Sequence, residues 1–134
     1  MPIRPQILYI EDDADDVEIL AGAFEIVSPD YELLNAINGE EGIKMLRNLH
    51  QQQQTPCLIV LDINMPKMNG KEVVVTLKKD ETLRHIPVVI LSTSRSKMDL
   101  MFFEKYQVAM LSKPMSFTDY ITVARDLITH CRVN

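Results

Sequence analysis

Four clusters of chemically capable side chains are spread along the chain: Glu11-Asp12-Asp13, Asp62, Ser92-Thr93 and Ser112-Lys113-Pro114. Each follows a short apolar run. Brought together, they would form a nest of carboxylates with a hydroxyl and an ammonium. Crowded carboxylates repel one another and take up protons unless a cation joins them. An all-oxygen donor set suits a hard divalent ion. Mg²⁺ is the natural candidate, because it typically binds through a carboxylate or two, waters and a phosphate. Lys113 adds a second, fixed positive charge. A carboxylate held beside such charges can attack phosphorus and form an acyl phosphate. The cations would stabilise charge on the phosphoryl oxygens, and the Ser92 hydroxyl could hydrogen-bond one of them.

This chemistry requires a scaffold that carries all four clusters to one edge, and the hydrophobic pattern predicts one. Ile7-Leu8-Tyr9-Ile10 reads as a first strand running into the acids. Val17, Leu20, Ala21, Phe24 and Val27 recur at helical spacing, and Ser28-Pro29-Asp30 stops that helix. Tyr31 to Ile37 reads as a weaker strand, Asn38-Gly39 as a turn or cap, and Ile43, Leu46 and Leu49 mark a second helix. Leu58-Ile59-Val60-Leu61, apolar on both faces, has the character of a central parallel strand. Met65 to Gly70 is a loop. Lys71 to Asp80 is read as a third helix, although Val73-Val74-Val75 favours strand locally. Val88 to Leu91, entered through Pro87, is a fourth strand; Ser96 to Lys105 a fourth helix; Val108 to Leu111 a fifth strand. Tyr120, Ala124, Leu127, Ile128 and Cys131 mark a final helix. Alternating strands and helices imply an α/β parallel sheet covered on both faces. Such sheets bind ligands beyond the carboxyl ends of their strands, where the four clusters fall.

The 134 residues fit one domain, with 46% apolar and 25% charged residues and no visible repeat or linker. A net charge of −5 argues against direct nucleic-acid binding. No apolar run approaches the ~20 residues of a membrane span, and Met1 to Gln6 leads into no signal-peptide core. Gln51 to Gln54 with Thr55-Pro56 reads as a polar loop. Cys57 and Cys131 form no metal-spaced motif and read as two reduced core thiols. A cytoplasmic location is the default expectation.

The four clusters, in this order and at these strand ends, resemble the CheY-type receiver family over essentially the whole chain. Ile7 to Asp13 resembles the family's first strand and acidic pair, and Leu58 to Gly70 its phosphorylation strand and loop. Pro87 to Thr93 resembles the fourth strand with its switch hydroxyl, and Ser112-Lys113-Pro114 the closing Lys-Pro pair. The resemblance implies a doubly wound five-stranded parallel sheet of order 2-1-3-4-5 with five helices, flavodoxin/CheY-like, as a single stand-alone receiver domain over residues 1–134. It implies that Asp62 accepts the phosphoryl group, that Asp12 is a direct Mg²⁺ ligand and Glu11 acts through a water, and that Asn64 offers its backbone carbonyl. Ser92 is then the switch hydroxyl and Lys113 the phosphoryl partner, with a cis bond to Pro114 costing only ~0.5–1 kcal/mol. The implied function is a response regulator in a two-component phosphorelay, a switch of protein contacts and not an enzyme. Its donor would be a sensor histidine kinase or phosphotransfer protein, phytochrome-type kinases included. Its target would meet the face of the fourth helix, fifth strand and fifth helix, with nucleic acid and membrane excluded and a homodimer allowed.

Two departures from the family pattern stand out. Met110 occupies the place of the usual inward-rotating aromatic, and Lys105-Tyr106-Gln107 stands where a small residue or Gly is usual before the fifth strand. Plainer readings cover other residues. Asp13, Asp15 and Asp16 read as helix-start acids favoured by capping and dipole. His50, His85 and His130 read as surface residues. The apolar run of Met98, Leu100, Met101, Phe102 and Phe103 exceeds what a one-faced helix needs, so part of it is available for a partner. An aspartyl-phosphate phosphatase competes as a function, but it would want an acid where Asn64 stands. A flavin domain would find Glu11-Asp12-Asp13 repelling its phosphate. A receiver-like docking module that is never phosphorylated is the remaining alternative.

Overall fold

The computed structural model describes residues 4–94 and 96–131. Residues 1–3 of the Met1 to Gln6 segment lie outside them. The strands are β1 (Gln6–Ile10), β2 (Glu32–Ala36), β3 (Leu58–Leu61), β4 (Val88–Ser92) and β5 (Ala109–Ser112). They alternate with helices α1 (Ala14–Val27), α2 (Gly39–Gln51), α3 (Gly70–Lys79), α4 (Lys97–Lys105) and α5 (Phe117–His130). The sheet order is β2-β1-β3-β4-β5, with every pairing parallel. Fold class and strand order match the expectation.

Strand periodicity sorts the core into two layers. Leu8, Ile10, Ile59, Leu61 and Ile90 face the side covered by α2, α3 and α4. Their neighbours Ile7, Tyr9, Leu58, Val60 and Leu91 face α1 and α5. Apolar residues on both strand faces are thus consumed by helices on both sides. The ambiguous valines resolve as helix because Val73, Val74 and Leu77 bury one α3 stripe against the first layer. Tertiary burial outweighs their local strand preference.

The helix starts are chemically specified. Asp13 caps α1 through the Asp15 and Asp16 amides, and Asn38 caps α2. Asn69 and Glu72 form a capping box on α3, while Ser96 and Ser116 cap α4 and α5. After α4, Gln107 takes φ 59°, the left-handed conformation that a glycine would adopt more cheaply.

Two expectations are corrected here. Cys57, just before β3, and Cys131, the C-cap of α5, are joined as a disulfide with Cα atoms 4.9 Å apart, and are not two reduced thiols. Burial pattern alone could not reveal that the crossover brings the end of α5 to the foot of β3. The Lys113–Pro114 bond is trans, since no peptide bond among the described residues is cis. Trans is the intrinsically favoured isomer of an X–Pro bond.

Candidate functional site

Strand register sets the position of each reactive group. Ile10 pairs with Leu61, so the next residues, Glu11 and Asp62, emerge side by side. Backbone bonds fix both: the Glu11 amide donates to Ala36 O at 2.9 Å, and the Asp62 amide to Ile10 O at 3.1 Å. Ser92 pairs with Ser112, and the Lys113 amide donates to Ser92 O at 3.0 Å. Gly70 brings α3 up beneath Asp62, its amide donating to Ile63 O at 2.8 Å. A methyl added there would lie 2.8 Å from Ile63 Cα and closer still to the Asp62 carbonyl oxygen.

Glu11, Asp12 and Asp62 each offer a carboxylate oxygen, all within 4.8 Å of one another. Glu11 and Asp62 are buried and Asp12 is exposed, leaving one open side. Lys113 Nζ lies 2.5 Å from Glu11 Oε1 and 3.6 Å from Asp62 Oδ2. Ser92 is fully buried, and its Oγ accepts from the Ser94 amide at 3.2 Å. Asn64 is exposed two residues beyond Asp62. Glu11, Asp12, Asp62, Asn64, Ser92 and Lys113 therefore lie on this edge of the sheet.

The electrostatics follow from the crowding. Burial raises the Glu11 carboxyl to about 7; a hydrogen bond from Lys113 opposes the rise and Asp62 adds to it. Burial works to lower the Lys113 ammonium, but the hydrogen bonds to Asp16 and Glu11 outweigh it and the net shift is upward. A carboxylate nest held by one ammonium still has excess negative charge and only oxygen donors, which fits Mg²⁺.

Two participants escaped the sequence reading. Asp16 accepts a hydrogen bond from Lys113 Nζ at 2.8 Å, so it does more than begin a helix. The buried Tyr9 hydroxyl donates to Glu11 Oε1 at 3.2 Å, and burial, with Glu11 beside it, pushes that phenol upward. Asp16 lies in the first turn of α1, a position that reveals its reach only once α1 is docked on the sheet. Tyr9 carries the strand alternation of a core residue, which hides its polar end.

Comparison with known proteins agrees with this geometry. The sequence profile of the "Response regulator receiver domain" family matches residues 7–125. Response regulator Rcp1 of Synechocystis sp. (strain ATCC 27184 / PCC 6803 / Kazusa) is 28% identical over 124 residues, covering 90% of this chain and 84% of that protein. The phosphorylated cyanobacterial phytochrome response regulator RcpA superposes with a TM-score of 0.83 at 28% identity, over 92% of this chain and 91% of that one. The Mn²⁺-bound form of Rcp1 superposes with a TM-score of 0.80 at 27% identity, over 93% and 92% of the two chains. Receiver domains carry autophosphorylation and phosphotransfer activity, so the family match corrects the expectation of a chain that is no enzyme. Sheet order, acidic nest and profile coincide over nearly the full length, and the chain belongs to the CheY-like response regulator receiver domains of two-component signalling.

Proposed function

We infer that this chain accepts a phosphoryl group on Asp62 from the phosphohistidine of a sensor histidine kinase or phosphotransfer protein. One observation carries the reading: a single ammonium, Lys113, reaches Glu11 and Asp62 while Glu11, Asp12 and Asp62 gather within 4.8 Å. The Asp62 carboxylate oxygen attacks phosphorus as the bond to the donor imidazole breaks. Lys113 holds the charge growing on one phosphoryl oxygen, and the Ser92 hydroxyl turns from the Ser94 amide to donate to another. Asp12, Asp62 and the Asn64 carbonyl would hold Mg²⁺, with Glu11 acting indirectly, and the bound ion would supply further positive charge against the transferring group.

The readout is a shift in a pre-existing equilibrium at the α4–β5–α5 face. Met98 and Met101 on α4 are 77% and 64% exposed, an apolar surface that suits a protein target. The likeness to a phytochrome response regulator supports a phytochrome-type kinase as donor, and the Mn²⁺-bound relative supports a divalent site. On this reading the chain is one receiver domain, residues 1–134, working in the cytoplasm. No described helix is long and apolar enough to cross a membrane.

Incubation with acetyl phosphate and Mg²⁺ is expected to add one phosphoryl mass, absent in Asp62→Asn and after chelation. Unlabelled wild type, or equal labelling of Asp62→Asn, overturns the reading.

A further inference from the structure

The disulfide stands at the opposite end of the sheet from the acidic nest. Cys57 precedes Leu58, the first residue of β3, and Asp62 follows the last, so the four residues of β3, about 16 Å of extended chain from Cys57 to Asp62, separate the two sites. Cys57 is 6% exposed and pinned by its amide, which donates to Gln6 O at 2.8 Å. Cys131 is half-buried and caps α5, its amide donating to Ile128 O at 3.1 Å. The bond closes a segment with a sequence separation of 74, so the two thiols meet only in the folded chain. The 4.9 Å between their Cα atoms falls within the span of disulfides.

Both cysteines border open grooves. Cys57 borders a groove lined by Arg4, His50 and His85. Cys131 borders a second groove lined by Lys78, Arg84 and His85. The grooves admit a small reagent, and a thiolate is the attacking species in disulfide exchange.

We propose that Cys57 and Cys131 form a thiol–disulfide exchange site that takes a low-molecular-weight disulfide such as oxidised glutathione, and whose oxidised state clamps the end of α5 to the foot of β3. The more accessible Cys131 thiolate attacks one sulfur of the small disulfide, and one small thiol leaves. The Cys57 thiolate then attacks Cys131 sulfur in that mixed disulfide, and the second small thiol leaves. The protein loses two electrons and two protons, and one small disulfide becomes two thiols. A small reductant reverses both steps. The clamp bears on signalling through position: α5 starts four residues after Lys113 and ends at the tether. The site itself stands independently of phosphorylation on Asp62.

The full chain is reduced, then treated with oxidised glutathione, and read by intact mass, non-reducing peptide mapping and thermal melting. The expected result is loss of two hydrogen masses, a Cys57–Cys131 cross-linked peptide within one chain, and a melting temperature that falls by roughly 10–15 °C on reduction, as a ring of this size implies. Cys131→Ser should melt at the same temperature with and without reductant. Two thiols still open to alkylation after oxidation, a stable mixed disulfide, or a cross-link between chains overturns the exchange site. Equal melting of oxidised and reduced wild type overturns the clamp.

Discussion

Lys113 Nζ lies 2.8 Å from Asp16 Oδ2, a carboxylate 97 positions earlier in the chain. That pairing divides the ammonium between the start of α1 and the acidic nest, where Glu11 and Asp62 also reach it. Asp16 therefore competes with any phosphoryl oxygen for the same cation. Replacing Asp16 by Asn should speed labelling by a small phosphodonor several-fold. Lys113→Ala should slow it about a hundredfold, the usual cost of losing one preorganised charge partner. Rates of phosphoryl incorporation under matched Mg²⁺ test both, and slower labelling of Asp16→Asn would show that Asp16 orients Lys113 and does not restrain it.

Asp12 is the exposed member of the carboxylate trio. It costs little to desolvate, so its charge is available to an incoming ion. Asp12→Asn is expected to weaken Mg²⁺ binding at least about tenfold while leaving the fold intact. Calorimetric titration with Mg²⁺ measures the loss, and circular dichroism checks the fold.

Asp99 ties three elements together. It accepts from Lys71 Nζ at 2.6 Å and from Ser94 Oγ at 2.5 Å, linking α3, α4 and the loop after β4. The hydrogen bond from Lys71, then that from Ser94, holds its carboxyl below the usual aspartate range. A folded-state value below the unfolded one contributes stability that is complete above the unfolded pKa, near pH 4, and is lost as pH falls through the depressed folded value. Asp99→Asn should therefore be less stable than wild type by about 1 kcal/mol at neutral pH. The gap should close as pH drops below about 4. Urea midpoints across the pH range give the curve, and a constant gap would rule out the charge as its source.

Gln107 and Gly70 make opposite predictions about backbone. Gln107 holds φ 59° without the freedom of glycine, so Gln107→Gly should stabilise the chain by about 0.5–1 kcal/mol. Gly70→Ala would drive a methyl into the Asp62 and Ile63 backbone and should destabilise by about 1–3 kcal/mol. Because that backbone carries Asp62, the Ala variant should also label more slowly. Urea unfolding and phosphodonor assays check both.

Much of this molecule is legible locally. Alternation of apolar runs with helical stripes marks all ten elements, because strands buried on both faces and helices buried on one leave distinct periods. The strand ends carry their acids, hydroxyl and lysine in plain view, and a parallel sheet sends all such ends to one edge. Val73 to Val75 needed the fold to decide, since local strand preference and helical burial oppose each other there.

Pairings across long separations were not legible. Nothing near Asp16 distinguishes it from Asp15, yet docking α1 against α5 turns one toward Lys113 and leaves the other exposed. Nothing near Cys57 or Cys131 announces a partner 74 positions away. Residue types and their spacing thus determined the elements and the kind of chemistry available at their ends, because periodicity and functional-group identity are local properties. Which charges share one ammonium, and which thiols meet, was decided only by tertiary structure, because ion pairs and disulfides depend on distances of a few ångströms that chain order does not encode.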